Sequence, residues 1–138
     1  KRPKTEGKKE TKAKMRDYKK IKAYQHANKL VMAVYSLSKN FPKHEIYGLT
    51  SQIRRASISV PTNIAEGASR QHKKDYLNFL YNSRGSVAEV EYLLELASNL
   101  DYLNIEDFNK VDLIRQEVAK TLSGLIDSVE QEVNLIEA

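Results

Sequence analysis

The chain has 138 residues, the size of one domain, and 41% of them are apolar, enough for a hydrophobic core. It contains no cysteine, which excludes disulfides, thiolate metal sites and a cysteine nucleophile, and fits a reducing compartment. No apolar run approaches the roughly 20 residues of a membrane helix, and no apolar stretch follows the N-terminal charges as in a secretory signal. We therefore expect a cytoplasmic protein.

The net charge of +5 hides a strong asymmetry along the chain. Residues 1–20 carry a net charge of +7, residues 43–74 carry +4, and residues 75–138 carry −9. Charge separated in this way can steer polyanions to one side of a protein, or steer subunits toward each other.

The N-terminal residues 1–14 are rich in lysine and include no apolar residue larger than Ala13. They cannot bury a core, so they are predicted to form a disordered basic tail. Two interpretations remain open for them. They are either an arm that binds nucleic acid or an extension that precedes a native start at Met15. The folded domain is predicted to occupy residues 15–138.

Four amphipathic segments follow the tail, over residues 21–40, 45–68, 73–99 and 105–135. Apolar residues recur in each at the spacing of three and four that marks one face of a helix; in the second segment the face begins with Ile46, Leu49 and Ile53. Phe41-Pro42 ends the first helix, and Asn104 is an expected N-cap for the fourth. No strand pattern is present. The prediction is an all-α, antiparallel up-down-up-down four-helix bundle.

The second helix carries a polar stripe of Arg55, Ser59, Thr62 and Glu66 on a face of its own. Two small hydroxyls between an arginine and a glutamate indicate packing against another helix or another subunit. Arg55 and Glu66 are about 16 Å apart along a helix axis, too far to pair with each other. Pro61 should bend this helix, more plausibly to wrap the core than to aim a site.

Two glycines lie inside predicted helices, where glycine is unfavourable, so their presence requires an explanation. Gly85 lies mid-helix, where glycine costs about 1 kcal/mol relative to alanine, so a close approach to another helix is expected there. Gly67 fits a close helix crossing or a helix end. A subunit interface is predicted from the residues of the stripe and their neighbours: Arg55, Ser59, Thr62, Asn63, Glu66 and Gly85.

Several short blocks in fixed order resemble the four-helix bundle family of 23S ribosomal RNA intervening-sequence proteins, from about Met15 to Val133. The blocks are Phe41-Pro42, Gly48-Leu49, Gln52, Arg54-Arg55-Ala56, Ser59-Val60-Pro61, Asn63-Ile64-Ala65-Glu66-Gly67 and Arg84-Gly85-Ser86. These proteins are similar to the accessory variability determinant of diversity-generating retroelements. The resemblance implies a ring-forming bundle, a homopentamer, with affinity for nucleic acid. It implies little about biochemical activity.

A set of basic residues is the candidate nucleic-acid-binding site: Arg54, Arg55, Arg70, His72, Lys73 and Lys74. The last four fall at one turn, and the arginine pair lies about four helical turns away. In one subunit a solvated face is the simpler interpretation. In a ring the set is repeated, and phosphate binding becomes plausible.

The search for catalytic chemistry finds no candidate. His26, His44 and His72 fall in no metal-ligand or acid–base motif, so we expect no catalytic residue, no metal, no cofactor and no enzyme. Two function classes remain. The first is a non-enzymatic, oligomeric protein that binds structured RNA or an RNA–DNA hybrid through backbone charge. The alternative is a scaffold subunit that docks a reverse transcriptase of a diversity-generating retroelement.

Overall fold

Four α-helices make up most of residues 16–137, which are the residues that the computed structural model describes. They are α1 (Lys22–Ser38), α2 (Leu49–Ala68), α3 (Lys73–Asn99) and α4 (Ile105–Glu137), with short 3-10 turns at Tyr18–Lys20 and Lys43–Glu45. Residues 16–137 contain no strand, and the all-α prediction is confirmed. The predicted disorder of residues 1–14 lies outside the described residues.

The four helices form a closed bundle in which each packs against its neighbours in the chain and α1 packs against α4. Side-chain contacts give the directions. Lys74 near the start of α3 pairs with Glu137 at the end of α4, whereas Glu91 late in α3 pairs with Arg115 early in α4. Likewise Arg54 early in α2 bonds to Ser38 at the end of α1, and Gly67 late in α2 lies against Tyr76 early in α3, so successive helices run in opposite directions. The arrangement is the up-down-up-down bundle that the sequence predicts.

The core lies along the bundle axis, and all four helices contribute to it. Its largest fully buried apolar side chains are Leu30, Ile53, Ile64, Leu80, Leu94 and Leu122. Two serines are also fully buried: Ser57 Oγ donates to the carbonyl of Arg54, and Ser83 Oγ donates across the α2–α3 contact to the carbonyl of Val60 at 2.9 Å. Because both hydroxyls have partners, their burial carries no large desolvation penalty.

The start of α2 differs from the prediction. The helix begins at Leu49 rather than at residue 45, and Ile46, predicted on the core face, is 55% exposed. Gly48 has non-helical angles (φ −111°, ψ −114°), which separate Ile46 from the helical face. The carboxylate of Glu45 instead accepts a hydrogen bond from the backbone N–H of Leu49 at 3.0 Å and so caps the helix.

Helix α2 continues through the buried Pro61 and crosses α3 closely at Gly67. A Cβ atom added to Gly67 would lie 2.7 Å from Cβ of Phe79 and 2.9 Å from Cδ1 of Tyr76. Real side chains do not approach so closely, so only glycine fits here without a shift. The sequence left two interpretations open for Gly67, a close helix crossing or a helix end; the structure shows the close crossing, one residue before the end of α2.

Candidate nucleic-acid interface

The bundle has a basic side and an acidic side. Residues 16–74, which include α1 and α2, contain twelve Lys or Arg and three Asp or Glu, a net charge of +9. Residues 75–137, which include most of α3 and all of α4, contain four Lys or Arg and thirteen Asp or Glu, a net charge of −9. Because α1 packs on α2 and α3 packs on α4, the asymmetry of the sequence becomes a charge separation across the molecule.

The turn between α2 and α3 holds the densest group of basic residues, here called the turn cluster: Arg70, His72, Lys73 and Lys74. Arg70 is exposed, and its guanidinium carbon lies 4.7 Å from the ring centroid of Phe79, close enough for a cation–π contact that fixes its position. His72 is exposed at the N-cap of α3 and makes no side-chain capping bond. The predicted grouping of these four residues is therefore present.

The two lysines of the turn cluster are paired with carboxylates of α4. Lys73 Nζ lies 2.5 Å from Glu132 Oε2, and Lys74 Nζ lies 2.6 Å from Glu137 Oε2. The hydrogen bond and the negative charge of Glu137 raise the pKa of Lys74. A shallow cavity of about 250 Å³ lies at this contact and is lined by His72, Lys73, Lys74, Val133, Ile136 and Glu137. With histidine counted as neutral, the turn cluster carries three formal positive charges, and these pairings offset two of them.

Arg16 joins the turn cluster from the N-terminal end of the described chain. Its guanidinium donates to the carbonyls of Arg70 at 3.1 Å and Ala68 at 3.4 Å, and it lies 4.3 Å from the ring centroid of Tyr76. Arg16 is not among the residues predicted from the sequence. No local spacing reveals it, because the two carbonyls belong to residues 54 and 52 positions away.

The arginine pair of α2 divides between two environments. Arg54 is half-buried; its Nε donates to Ser38 Oγ at 2.8 Å, and its guanidinium lies 4.7 Å from the ring centroid of Tyr35. Arg54 therefore fastens α2 to α1. Arg55 is exposed and stands about 22 Å from Arg70 along the direction of α2. The six predicted residues thus do not form one continuous patch.

The polar stripe of α2 lies on the outer surface of the bundle, where Arg55, Thr62 and Glu66 are exposed. Within residues 16–137 neither Arg55 nor Glu66 forms an ion pair. The hydroxyls have partners in the same chain. Thr62 Oγ1 donates to the carbonyl of Ile58 at 2.8 Å, and Ser59 belongs to a network between α2 and α3.

That network joins the stripe to the region around Gly85. Asn63 Nδ2 donates to the carbonyl of Ser59 at 2.8 Å and to its Oγ at 3.0 Å, while Ser86 Oγ of α3 donates to Ser59 Oγ at 2.8 Å. Gly85 beside it is exposed, and a Cβ added there would meet nothing within 4 Å. The expectation that Gly85 allows a close approach to another helix is wrong for the helices of the same chain.

A groove of about 380 Å³ between α1 and α2 borders the stripe on its other side. Tyr24 and Val31 of α1 and Ile58 of α2 form part of its wall, and Thr62 and Glu66 stand at its edge. The outer face of α2 therefore has a small-residue network on one flank and an apolar groove on the other.

The histidines lie apart from one another and share no set of ligands. His26 Nε2 is 3.9 Å from Glu117, and His44 Nε2 is 3.5 Å from the hydroxyl of Tyr102. Among residues 16–137 no three His, Asp or Glu side chains are grouped so that they could hold a metal ion. In the same range, no helix combines the length and the apolar character needed to cross a membrane.

Comparison with known proteins identifies the family to which the chain belongs. A profile of the 23S rRNA-intervening sequence proteins matches residues 19–124. A crystal structure of a protein of unknown function from the S23 ribosomal protein family of Bacteroides thetaiotaomicron has a similar fold, with a TM-score of 0.70 and 24% sequence identity over 75% of this chain and 97% of that one. No curated protein matches the chain. The profile spans well over half of the sequence, including α1 to α3 and much of α4. The chain therefore belongs to the family of 23S rRNA-intervening sequence proteins.

Proposed function

We propose that this chain is a non-enzymatic, oligomeric protein of the cytoplasm that binds structured RNA or an RNA–DNA hybrid through the phosphate backbone. The observation that carries the proposal is the turn cluster on the basic side of the bundle, joined there by Arg16. The family is named after an intervening sequence of 23S rRNA, and a polyanion of that kind is the class of ligand that a basic surface favours.

The type of contact follows from the side chains present. Contacts of arginine and lysine with phosphates carry no sequence information, so binding through such contacts should tolerate sequence changes and weaken steeply with salt. The helices show none of the motifs that place side chains against base edges. Arg55, about 22 Å from Arg70, adds a second point of contact along the same side.

Assembly into a ring, as a homopentamer, would multiply this weak surface. The exposed Arg55 and Glu66 and the open space at Gly85 support an interface between subunits along α2 and α3, with Ser59, Thr62 and Asn63 between them. Each subunit would then present one turn cluster, and several clusters acting together bind a polymer far more tightly than one cluster does.

The alternative is a scaffold subunit that docks a reverse transcriptase, as the similarity to the accessory variability determinant of diversity-generating retroelements would imply. One observation favours a protein partner. In the link that precedes α2, Tyr47 is 95% exposed and its neighbour Ile46 is 55% exposed. Adjacent exposed apolar side chains are typical of protein contact surfaces.

The test is a salt titration of binding to a labelled RNA–DNA hybrid duplex, with the full chain and with a chain that begins at Met15. In the test variant Arg70, Lys73 and Lys74 are changed to Glu. In the matched control Lys22, Lys29 and Lys39, all exposed in or beside α1, are changed to Glu. We expect the test variant to lose at least about tenfold in affinity and to show a shallower salt slope than the control.

The two outcomes that oppose the proposal are clear. If the chain that begins at Met15 shows no binding at low salt, the bundle itself does not bind nucleic acid. If both variants lose affinity equally, net charge rather than the turn cluster governs binding. The second result removes the turn cluster as the binding site. The first favours the scaffold, which is then tested by capture of a reverse transcriptase encoded beside the gene.

A further inference from the structure

The charges where α3 begins and α4 ends oppose the dipoles of their own helices. The N-terminus of a helix is its positive end, yet the first turn of α3 carries Lys73 and Lys74 beside a single acid, Asp75. The C-terminus is the negative end, yet the last turns of α4 carry Glu130, Glu132 and Glu137, with no basic residue in the last turn. Either helix alone would be more stable with the opposite charges.

The two unfavourable ends lie side by side and compensate each other. Glu132 and Glu137 reach the two lysines at 2.5 and 2.6 Å. Without these two carboxylates, the two lysines, Arg70 and the positive end of α3 would present unpaired positive charge together, opposed in the first turn of α3 only by Asp75. Such a group is a strong attractor of phosphate, because a helix N-terminus and cations act in the same direction there.

The end of α4 is held over α3 by few contacts: the two ion pairs, the buried Val133 and a hydrogen bond that the hydroxyl of Tyr81 donates to Glu130. Of its last five described residues only Val133 is buried, while Leu135 and Ile136 are 78% and 70% exposed. The side chains of both ion pairs are between 36% and 70% exposed, and exposed pairs of this kind contribute little to stability and weaken with salt. The last carbonyls of any helix also lack intrahelical partners. This end of α4 can therefore be displaced easily.

We propose that the end of α4, residues 130–137, is an autoinhibitory cover of the turn cluster. Glu132 and Glu137 occupy Lys73 and Lys74 until the phosphates of a nucleic acid replace the two carboxylates. The inference rests on the proposed function and adds to it. Binding is coupled to the release of the end of α4, so any partner that draws this end away raises the affinity for the polyanion.

The test compares three full-length proteins for binding to a labelled RNA–DNA hybrid duplex. They are the wild type, the variant Glu132→Gln/Glu137→Gln, and the variant Glu89→Gln/Glu95→Gln. The variant Glu89→Gln/Glu95→Gln is the matched control. It also replaces two glutamates, so its gain in net charge is the same, but these two carboxylates of α3 are exposed and form no ion pair with Lys73 or Lys74. Circular dichroism melting confirms that each variant is folded.

If the end of α4 covers the turn cluster, the two variants should differ in affinity for the hybrid although their net charge changes by the same amount. In Glu132→Gln/Glu137→Gln two lysines are free to bind two more phosphates. This variant should bind roughly tenfold more tightly at low salt, and the slope of log affinity against log salt concentration should steepen by about two. The affinity of the control should change by no more than about threefold. In the wild type, the hybrid should also speed hydrogen exchange at the backbone amides of residues 130–137, because their segment is released.

Failure of the cover and failure of the proposed function give different results. If the wild type binds and the two variants gain equally, or if the hybrid slows exchange at residues 130–137, the cover is refuted and the nucleic-acid-binding function stands. If none of the three proteins binds the hybrid, the proposed function is refuted, and the cover with it.

Discussion

Glycine has two opposite roles in these helices, and the surrounding atoms decide which applies. Gly67 is buried where α2 crosses α3, so a methyl group there would press on Phe79 and Tyr76. Gly85 and Gly124 are exposed, and a methyl group at either would meet nothing within 4 Å. At Gly85 and Gly124 glycine lowers the stability of the helix relative to alanine, and no packing contact inside the subunit compensates for this.

This contrast makes a prediction about Gly67. Gly67→Ala should lower the free energy of unfolding by about 1–3 kcal/mol, because the added methyl group forces α2 and α3 apart. Gly124→Ala, the matched control, should raise it by up to about 1 kcal/mol through helix propensity alone. Urea denaturation followed by circular dichroism measures both. Equal stabilisation by the two substitutions would show that the helices do not cross closely at Gly67.

Glu45 gives a prediction about pH. Hydrogen bonds from the N–H of Leu49 and the hydroxyl of Tyr102 hold the pKa of its carboxyl below the ordinary value of 4.5. A carboxyl with a lowered pKa stabilises the folded state fully above its unfolded pKa, and this stabilisation is lost as the pH falls through the lowered value. The contribution of Glu45 should therefore be complete at neutral pH and disappear in acid.

The measurement compares the free energy of unfolding of the wild type and of Glu45→Gln between neutral pH and the acid range. The difference should be constant above the ordinary pKa and shrink below it. Tyr102→Phe removes one of the two donors, so it should reduce this pH dependence without abolishing it. A difference between wild type and Glu45→Gln that is the same at all pH values would mean that Glu45 does not cap α2.

At the scale of the helices, local patterns predicted most of the fold. The periodic apolar residues located α1, α3 and α4, and the expected cap is present, with Asn104 Oδ1 accepting from the N–H of Asp107 at 2.8 Å. The start of α2 was missed because Ile46 continues the apolar spacing across Gly48. The cap formed by Glu45 lies on the far side of the non-helical Gly48. The spacing of apolar residues cannot reveal such a cap.

The candidate site was predicted less completely, because its contacts join distant parts of the chain. Adjacency in sequence was enough to group Arg70, His72 and the two lysines. The partners of those lysines are far away in sequence; Lys74 and Glu137 are 63 residues apart. Spacing placed Arg55 on the polar stripe, but it could not show that Arg54 contacts Ser38 and Tyr35, because that depends on the position of α1.

The outer face of α2 also looks different once its hydrogen bonds are known. The hydroxyls of Ser59 and Thr62 were interpreted as a sign of packing against another helix or another subunit. Ser59 does contact another helix of the same chain, through Ser86 of α3, whereas Thr62 bonds to the carbonyl of Ile58 in its own helix. Arg55 and Glu66 remain exposed without an ion pair in residues 16–137. A subunit interface on this face is therefore supported by these two charges and by Gly85, not by the hydroxyls.

At the scale of the whole molecule, the separation of charge between the two helix pairs favours contact between unlike sides of neighbouring subunits. The basic side of one bundle attracts the acidic side of the next, and a contact between two different surfaces generates a ring when its rotation closes. Like sides would repel. The charge distribution thus supports a head-to-tail ring over a symmetric pair.

Assembly can be tested at Gly85 without destabilising the subunit. In a single chain Gly85→Ala and Gly124→Ala should have the same effect, because each added methyl group points into open space and each gains helix propensity. At a subunit interface a methyl group at Gly85 would keep the neighbouring backbone away. We therefore expect Gly85→Ala to lower the oligomeric mass measured by light scattering at micromolar concentration, while Gly124→Ala keeps the mass of the wild type, about five times the 15.8 kDa of one chain.

Glu66→Ala should weaken the same assembly by about 1–3 kcal/mol if the glutamate pairs with an arginine or amide of the next subunit, since the substitution leaves that group unsatisfied at the interface. Its effect should grow weaker in high salt, because an ion pair at the edge of an interface is screened, whereas the steric effect of Gly85→Ala should not depend on salt. A monomeric wild type at micromolar concentration would exclude the ring. An oligomer that tolerates both substitutions would move the interface away from α2 and the middle of α3, and the open space at Gly85 would then have no role in assembly.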